Sequence, residues 1–134
     1  MNPKDSATPQ LDTRSGVPIY RQIVDWVKFR VAAGLLEPGV QLPTVRQLAV
    51  DLGVNANTVS RAYLELERMD LVNTLQGKGT FIAEKEVPMD QLVRGLKLKE
   101  IVSELVSRAS EFGFGPEEII DELKNRLSSA KEES

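Results

Sequence analysis

The chain has 134 residues, a formal net charge of −3, and neither cysteine nor histidine. That length allows one compact domain, or a small domain with an appendage. The missing residue types exclude disulfides, Cys/His zinc sites and thiol chemistry, and they remove the commonest general base. In chain order, residues 1–16 are polar, contain Pro3 and Pro9 and show no period, which predicts a flexible arm. Pro18 then suits the first position of a helix, where its missing N–H costs nothing. Ile19, Ile23, Val27 and Val31 step by four as far as a stop at Gly34, giving an amphipathic helix whose stripe should cover the elements that follow. Trp26 and Phe29 lie off that stripe and are expected to pack against the C-terminal segment.

After a loop with the turn pair Pro38 and Gly39, residues 42–67 hold two short helices. Thr44 followed by Gln47 reads as a capping box, and Val45, Leu48, Ala49 and Leu52 form a short apolar stripe. Gly53 ends that helix, and Asn55 caps the next, with Val54 placed to staple onto Val59. Val59, Ala62, Tyr63 and Leu66 make the second stripe. This order is a helix-turn-helix. Asn57, Thr58, Ser60 and Arg61 fall off the second stripe, and they are side chains suited to phosphates and base edges in a major groove. Residues 71–75 and 80–83 are β-prone and flank the turn Gln76, Gly77, Lys78, Gly79, so a hairpin wing is expected. Its glycines allow close approach to a sugar-phosphate edge, and Lys78 puts a charge at the tip.

Beyond a linker at about residues 84–88, a long helix is expected over 89–112. Leu98, Val102, Leu105, Ala109 and Phe112 alternate steps of four and three along it, a heptad-like seam. Gly113 and Gly115 break the helix and Pro116 restarts one, with Ile119, Ile120, Leu123 and Leu127 on its apolar face. Two helices cannot bury so broad an apolar surface between themselves. The first domain or the same hairpin of a second subunit could cover it; the more economical expectation is a homodimer interface built on Leu98, Val102, Leu105, Ala109, Phe112, Ile120 and Leu123. The charge divides the same way: residues 1–85 hold ten Lys/Arg against nine Asp/Glu, and residues 86–134 hold seven against eleven. The acidity belongs to the tail and leaves the first part free to carry a local basic surface. Without a signal-peptide pattern or a long apolar run, the chain is expected to be cytoplasmic and not membrane-bound.

Residues 17–83 resemble the winged helix-turn-helix domain of the GntR family of bacterial transcription regulators. The resemblance rests on Pro18, Tyr20, Gln22 and Ile23, then Gly34, Pro38 and Gly39, Leu42 and Pro43, and Arg46 through Ala49. It continues through Leu52, Gly53 and Val54, Thr58 and Val59, Ala62 and Tyr63, and Gly77 through Phe81. The short two-helix tail is similar to that of the YtrA-type subfamily, which lacks larger effector or enzyme domains. The resemblance implies DNA contacts from Thr44 and Arg46 at the start of the second helix. It places Asn55, Asn57, Thr58 and Arg61 of the recognition helix (about 55–69) in the major groove, and Gly77, Lys78 and Gly79 of the wing (76–80) at the minor groove. Many relatives carry arginine where this chain has Ala56, which leaves base reading to Asn57, Arg61 and Arg46. The family usually has glycine where Asp70 stands, so that turn is expected to be either slightly strained or differently shaped.

The expected architecture is mainly α with a small β-hairpin wing, a winged helix-turn-helix followed by an αα-hairpin. Its parts are a flexible arm (1–16), a DNA-binding domain (17–85) and a dimerisation tail (86–134). The expected function is sequence-specific regulation of transcription, as a repressor, by a homodimer on a two-fold-symmetric operator in double-stranded DNA. No cofactor or metal is implied, and an unidentified small-molecule effector is left open. The alternative is a winged helix that binds protein, which calls for apolar residues at 57, 58, 60 and 61. No constellation of side chains recommends an enzyme.

Overall fold

The structure, a computed structural model, describes residues 8–85, 88 and 90–133. The first seven residues of the expected arm, and parts of the expected linker, lie outside the described residues. The chain falls into two compact units, Met1–Met89 and Asp90–Ser134. In the first unit α1 (Ile19–Ala32), α2 (Val45–Leu52) and α3 (Ala56–Arg68) precede an antiparallel hairpin of β1 (Val72–Leu75) and β2 (Gly79–Ile82). The core is the apolar stripes read from the sequence. Ile23, Val24 and Val27 of α1, Leu48 and Ala49 of α2, and Val59, Ala62, Tyr63 and Leu66 of α3 are buried together with Leu71, Val72 and Ile82. Each large aliphatic among them contributes about 1.5–3 kcal/mol relative to exposure. Trp26, expected to pack elsewhere, leans on this same core and carries the Arg30 guanidinium 4.8 Å from its ring centre.

Two stretches read as loop are tied down. The arm was expected to stay free through residue 16, yet Pro9 is buried and Leu11 packs on the core. Gln22 explains the tie. Its side chain accepts from the Asp12 amide at 2.8 Å and donates to the carbonyls of Asp12 and Val17, each at 2.9 Å. The loop before α2 runs beside β2: the Gly39 amide donates to Ile82, Ile82 to Val40 and Leu42 to Thr80, all at 2.8 Å. Gln41 thereby bridges Phe81, and part of the outer edge of β2 is paired.

In the second unit α4 (Gln91–Glu111) and α5 (Pro116–Glu133) form an αα-hairpin. Asp90 caps α4 by accepting from Leu92, and the Glu118 carboxylate accepts from the Gly115 amide at the start of α5. No residue of α4 is buried. Leu98 is 61% exposed, Leu105 41% and Phe112 69%, so the seam found in the sequence is laid bare in the single chain.

Four helix ends close the same way. After α1, α2, α3 and α4 two consecutive amides bond back to carbonyls of the last turn, and the first of the two residues has positive φ. Gly34, Gly53 and Gly113 fill that place after α1, α2 and α4, but after α3 it is Asp70, at φ 60°. The strained alternative is thus the one present, and a carboxylate at a helix C-terminus adds an unfavourable charge. Asp70→Gly is expected to stabilise the chain by about 1 kcal/mol, read as a higher Tm in calorimetry; an unchanged or lower Tm would show that the turn stores no strain.

Candidate nucleic-acid interface

The turn between α2 and α3 is built from local hydrogen bonds. The Thr44 hydroxyl accepts from the Gln47 amide at 3.0 Å, and the Asn55 side-chain oxygen Oδ1 accepts from the Asn57 amide at 2.8 Å. Only half of the expected capping box forms, because the Gln47 side chain reaches forward to Asp51 at 2.8 Å. Gly53 takes φ 68° and lets the chain reverse between the helices. Tyr63 then fixes α3 to the approach of α2 by donating its hydroxyl to the Pro43 carbonyl at 2.6 Å. Burial pushes the pKa of this phenol well above its usual value, so it stays a neutral donor.

These bonds set what each candidate residue can offer. Thr44 and Asn55 hold their helices by their acceptor oxygens, which leaves the Thr44 hydroxyl proton and the Asn55 amide group to donate outward. Arg46 stands exposed on the first turn of α2, and Asn57 is exposed at the start of α3 with Thr58 half-buried beside it. Arg61, one turn further, is exposed but not extended: its guanidinium carbon lies 3.9 Å from the centre of the Tyr20 ring on α1. Ala56 is exposed at the first position of α3 and presents only a methyl group.

The wing carries Gly77, Lys78 and Gly79 at its tip, with Lys78 exposed. Gln41 braces it by donating to the Lys78 carbonyl at 3.1 Å. The Gln41 side chain fills the space beside Gly79, where an added Cβ would come within 2.5 Å of its amide nitrogen. At the wing's far end Lys85 donates to the Met69 carbonyl at 2.6 Å, closing the end of α3. Sequence reasoning passed over Gln41 because its partner is distant in the chain. Tyr20 stood out only as a flank of the α1 stripe and as a motif residue, not as a partner of Arg61. Among the described residues no group of His, Cys, Asp and Glu could hold a metal ion, and no helix is long and apolar enough to cross a membrane.

Residues 19–82 match the family model described as bacterial regulatory proteins, gntR family. The chain is 39% identical over 124 residues to the HTH-type transcriptional repressor YtrA of Bacillus subtilis (strain 168), covering 91% of this chain and 94% of that one. It is 40% identical over 111 residues to the HTH-type transcriptional regulator YhcF of the same strain, covering 83% and 91%. Among solved structures it resembles YtrA from Sulfolobus acidocaldarius, a GntR-family transcription factor, at 32% identity and a TM-score of 0.54, over 73% of this chain and 96% of that one.

The wing's brace can be tested by folding alone. Gly79 sits at φ 127°, where a side chain is strained even if Gln41 swings away. Gly79→Ala is expected to cost about 1–3 kcal/mol of stability, measured by urea unfolding. A midpoint within error of the wild type would mean that the wing turn is free to change shape.

Proposed function

The chain is a DNA-binding transcription regulator of the GntR family, YtrA-type, and from that premise we propose that it acts as a homodimeric repressor on a two-fold-symmetric operator. One observation carries the reading. On α3 the stripe Val59, Ala62, Tyr63 and Leu66 is buried, while Asn57 and Arg61 on the same two turns stay in solvent. A helix anchored on one side with hydrogen-bonding side chains on the other is what a major groove accepts. A protein-docking winged helix would put apolar side chains at those positions.

In this reading each recognition helix enters a major groove, where Asn57, Thr58, Arg61 and the neighbouring Arg46 meet base edges. Thr44 and Asn55 flank them, and Gly77, Lys78 and Gly79 lie along the adjoining minor groove. Ala56 cannot fork onto guanine, so discrimination by arginine passes to Arg46 and Arg61. Arginine forms a bidentate pair with guanine O6 and N7, worth about 1–3 kcal/mol against the wrong base.

Two subunits join through the tails. The αα-hairpin leaves a cleft of about 690 Å³ lined by Leu105, Ala109, Phe114, Ile119 and Leu123, and Leu98, Val102, Phe112 and Ile120 extend its apolar surface. That much apolar surface asks for a partner, and a second copy of the hairpin offers a self-complementary one. Repression follows from occupying promoter DNA in the cytoplasm. The repressor name of the Bacillus subtilis relative supports that direction of control.

Two substitutions test the halves of this proposal separately. Arg46→Ala should weaken binding to DNA enriched by this protein from a random pool by about 1–3 kcal/mol, with the fold unchanged; equal affinity by fluorescence anisotropy would remove Arg46 from the interface. Leu105→Glu places a charge in the tail seam and should convert the dimer to monomer in sedimentation. A dimer that persists would put the subunit contact elsewhere.

A further inference from the structure

We propose that Tyr20 is a positioning residue: it holds the Arg61 guanidinium against α1, so that Arg61 binds a DNA phosphate and not a base edge. The inference rests on the DNA-binding reading above and changes the role given to one of its residues.

The distance of 3.9 Å between the Arg61 guanidinium carbon and the Tyr20 ring centre is a close cation–π stack. The two partners are not equally free. Tyr20 packs against the buried core, whereas Arg61 is solvent-exposed, so the ring is the fixed platform and the arginine the group being placed. Stacking uses the flat face of a guanidinium and leaves its N–H edge open, the edge that forks onto phosphate oxygens. It also draws the side chain back onto α1. Base contacts of a recognition helix come from its N-terminal residues, and Arg61 stands on the second turn of α3, beyond Asn57 and Thr58.

Charge around the ring points the same way. The Arg21 guanidinium carbon is 5.7 Å from the same ring centre, so two cations share one phenol. Among the described residues neither is ion-paired with a carboxylate. With no described carboxylate paired to either, the two like charges held near one ring repel each other, and a phosphodiester beside the ring relieves that repulsion. A neutral base edge does not. Tyr20 is therefore expected to act through its ring, since its hydroxyl has no hydrogen-bond partner among the described residues.

The test uses the full chain, with fluorescence anisotropy on two duplexes: one enriched by this protein from a random pool, and one of random sequence. Arg61→Met should weaken both by the same factor, about tenfold, and lower the salt slope by about 0.9. Tyr20→Leu should reproduce most of that loss, Tyr20→Phe should bind as wild type, and the double variant Tyr20→Leu/Arg61→Met should be no weaker than Arg61→Met alone. Loss on the enriched duplex only would make Arg61 a base reader and overturn the proposal. Additive losses, or a Tyr20→Leu chain that binds normally, would overturn the positioning role. Wild-type protein that binds neither duplex would instead defeat the DNA-binding reading itself. Because Tyr20→Leu could unfold the domain, a second measurement uses unaltered protein: ring currents should shift the Arg61 δ-methylene protons upfield in NMR spectra, and the shift should survive DNA binding. Its disappearance in the complex would show that the arginine leaves the ring to do its work.

Discussion

Val59, Ala62 and Leu66 on α3 have no exposed surface, and burying that stripe sets the rotation of the helix about its axis. With the rotation set, the residues off the stripe have no choice of direction. Asn57 and Arg61 must face outward for the same reason that Val59 and Leu66 face inward. The burial is shared with α1 and α2 through Ile23, Val24, Val27, Leu48 and Ala49. The Tyr63 hydroxyl on the Pro43 carbonyl then couples α3 to the stretch leading into α2. The outward polar array is therefore a by-product of core packing, which is how a small domain can hold such side chains in a defined arrangement.

Most of this was legible because the signals are local. Stripes at helical spacing, the Thr44 and Asn55 caps and the glycine turn of the hairpin each depend on residues a few positions apart, and each reappears in the structure. The turn after α3 was flagged only through the family resemblance, which has glycine there and left a strained or a differently shaped turn open; Asp70 takes the left-handed conformation itself. What escaped notice was non-local. Gln22 seats the arm by bonding to residues 12 and 17, Gln41 braces Lys78 from the loop before α2, and Tyr20 meets Arg61 across two helices. Long polar and amphipathic side chains have no periodic signature, so pairing between distant elements cannot be read from spacing. Gln47 shows the same limit at short range: its sequence position suits a capping box, yet its side chain prefers Asp51.

The two units divide the labour. The first has a closed core and presents polar groups; the second has almost no core and presents apolar ones. A lone αα-hairpin that leaves Leu98, Ile101, Val102, Leu105 and Val106 each at least two-fifths exposed is poorly suited to exist singly in water. The acidity lies in residues 86–134, with seven Lys/Arg against eleven Asp/Glu, and residues 1–85 keep ten against nine. On the proposed reading, Ala56 is the main place where base recognition would differ from relatives that carry arginine.

The central claim is that a symmetric pair of recognition helices reads a symmetric site, and hydroxyl-radical footprinting of the full chain on DNA it has enriched from a random pool tests that most directly. The account predicts two protected patches related by a two-fold axis, their centres about one helical turn apart or a small multiple of it. A single asymmetric patch, or uniform cleavage along the fragment, would contradict it.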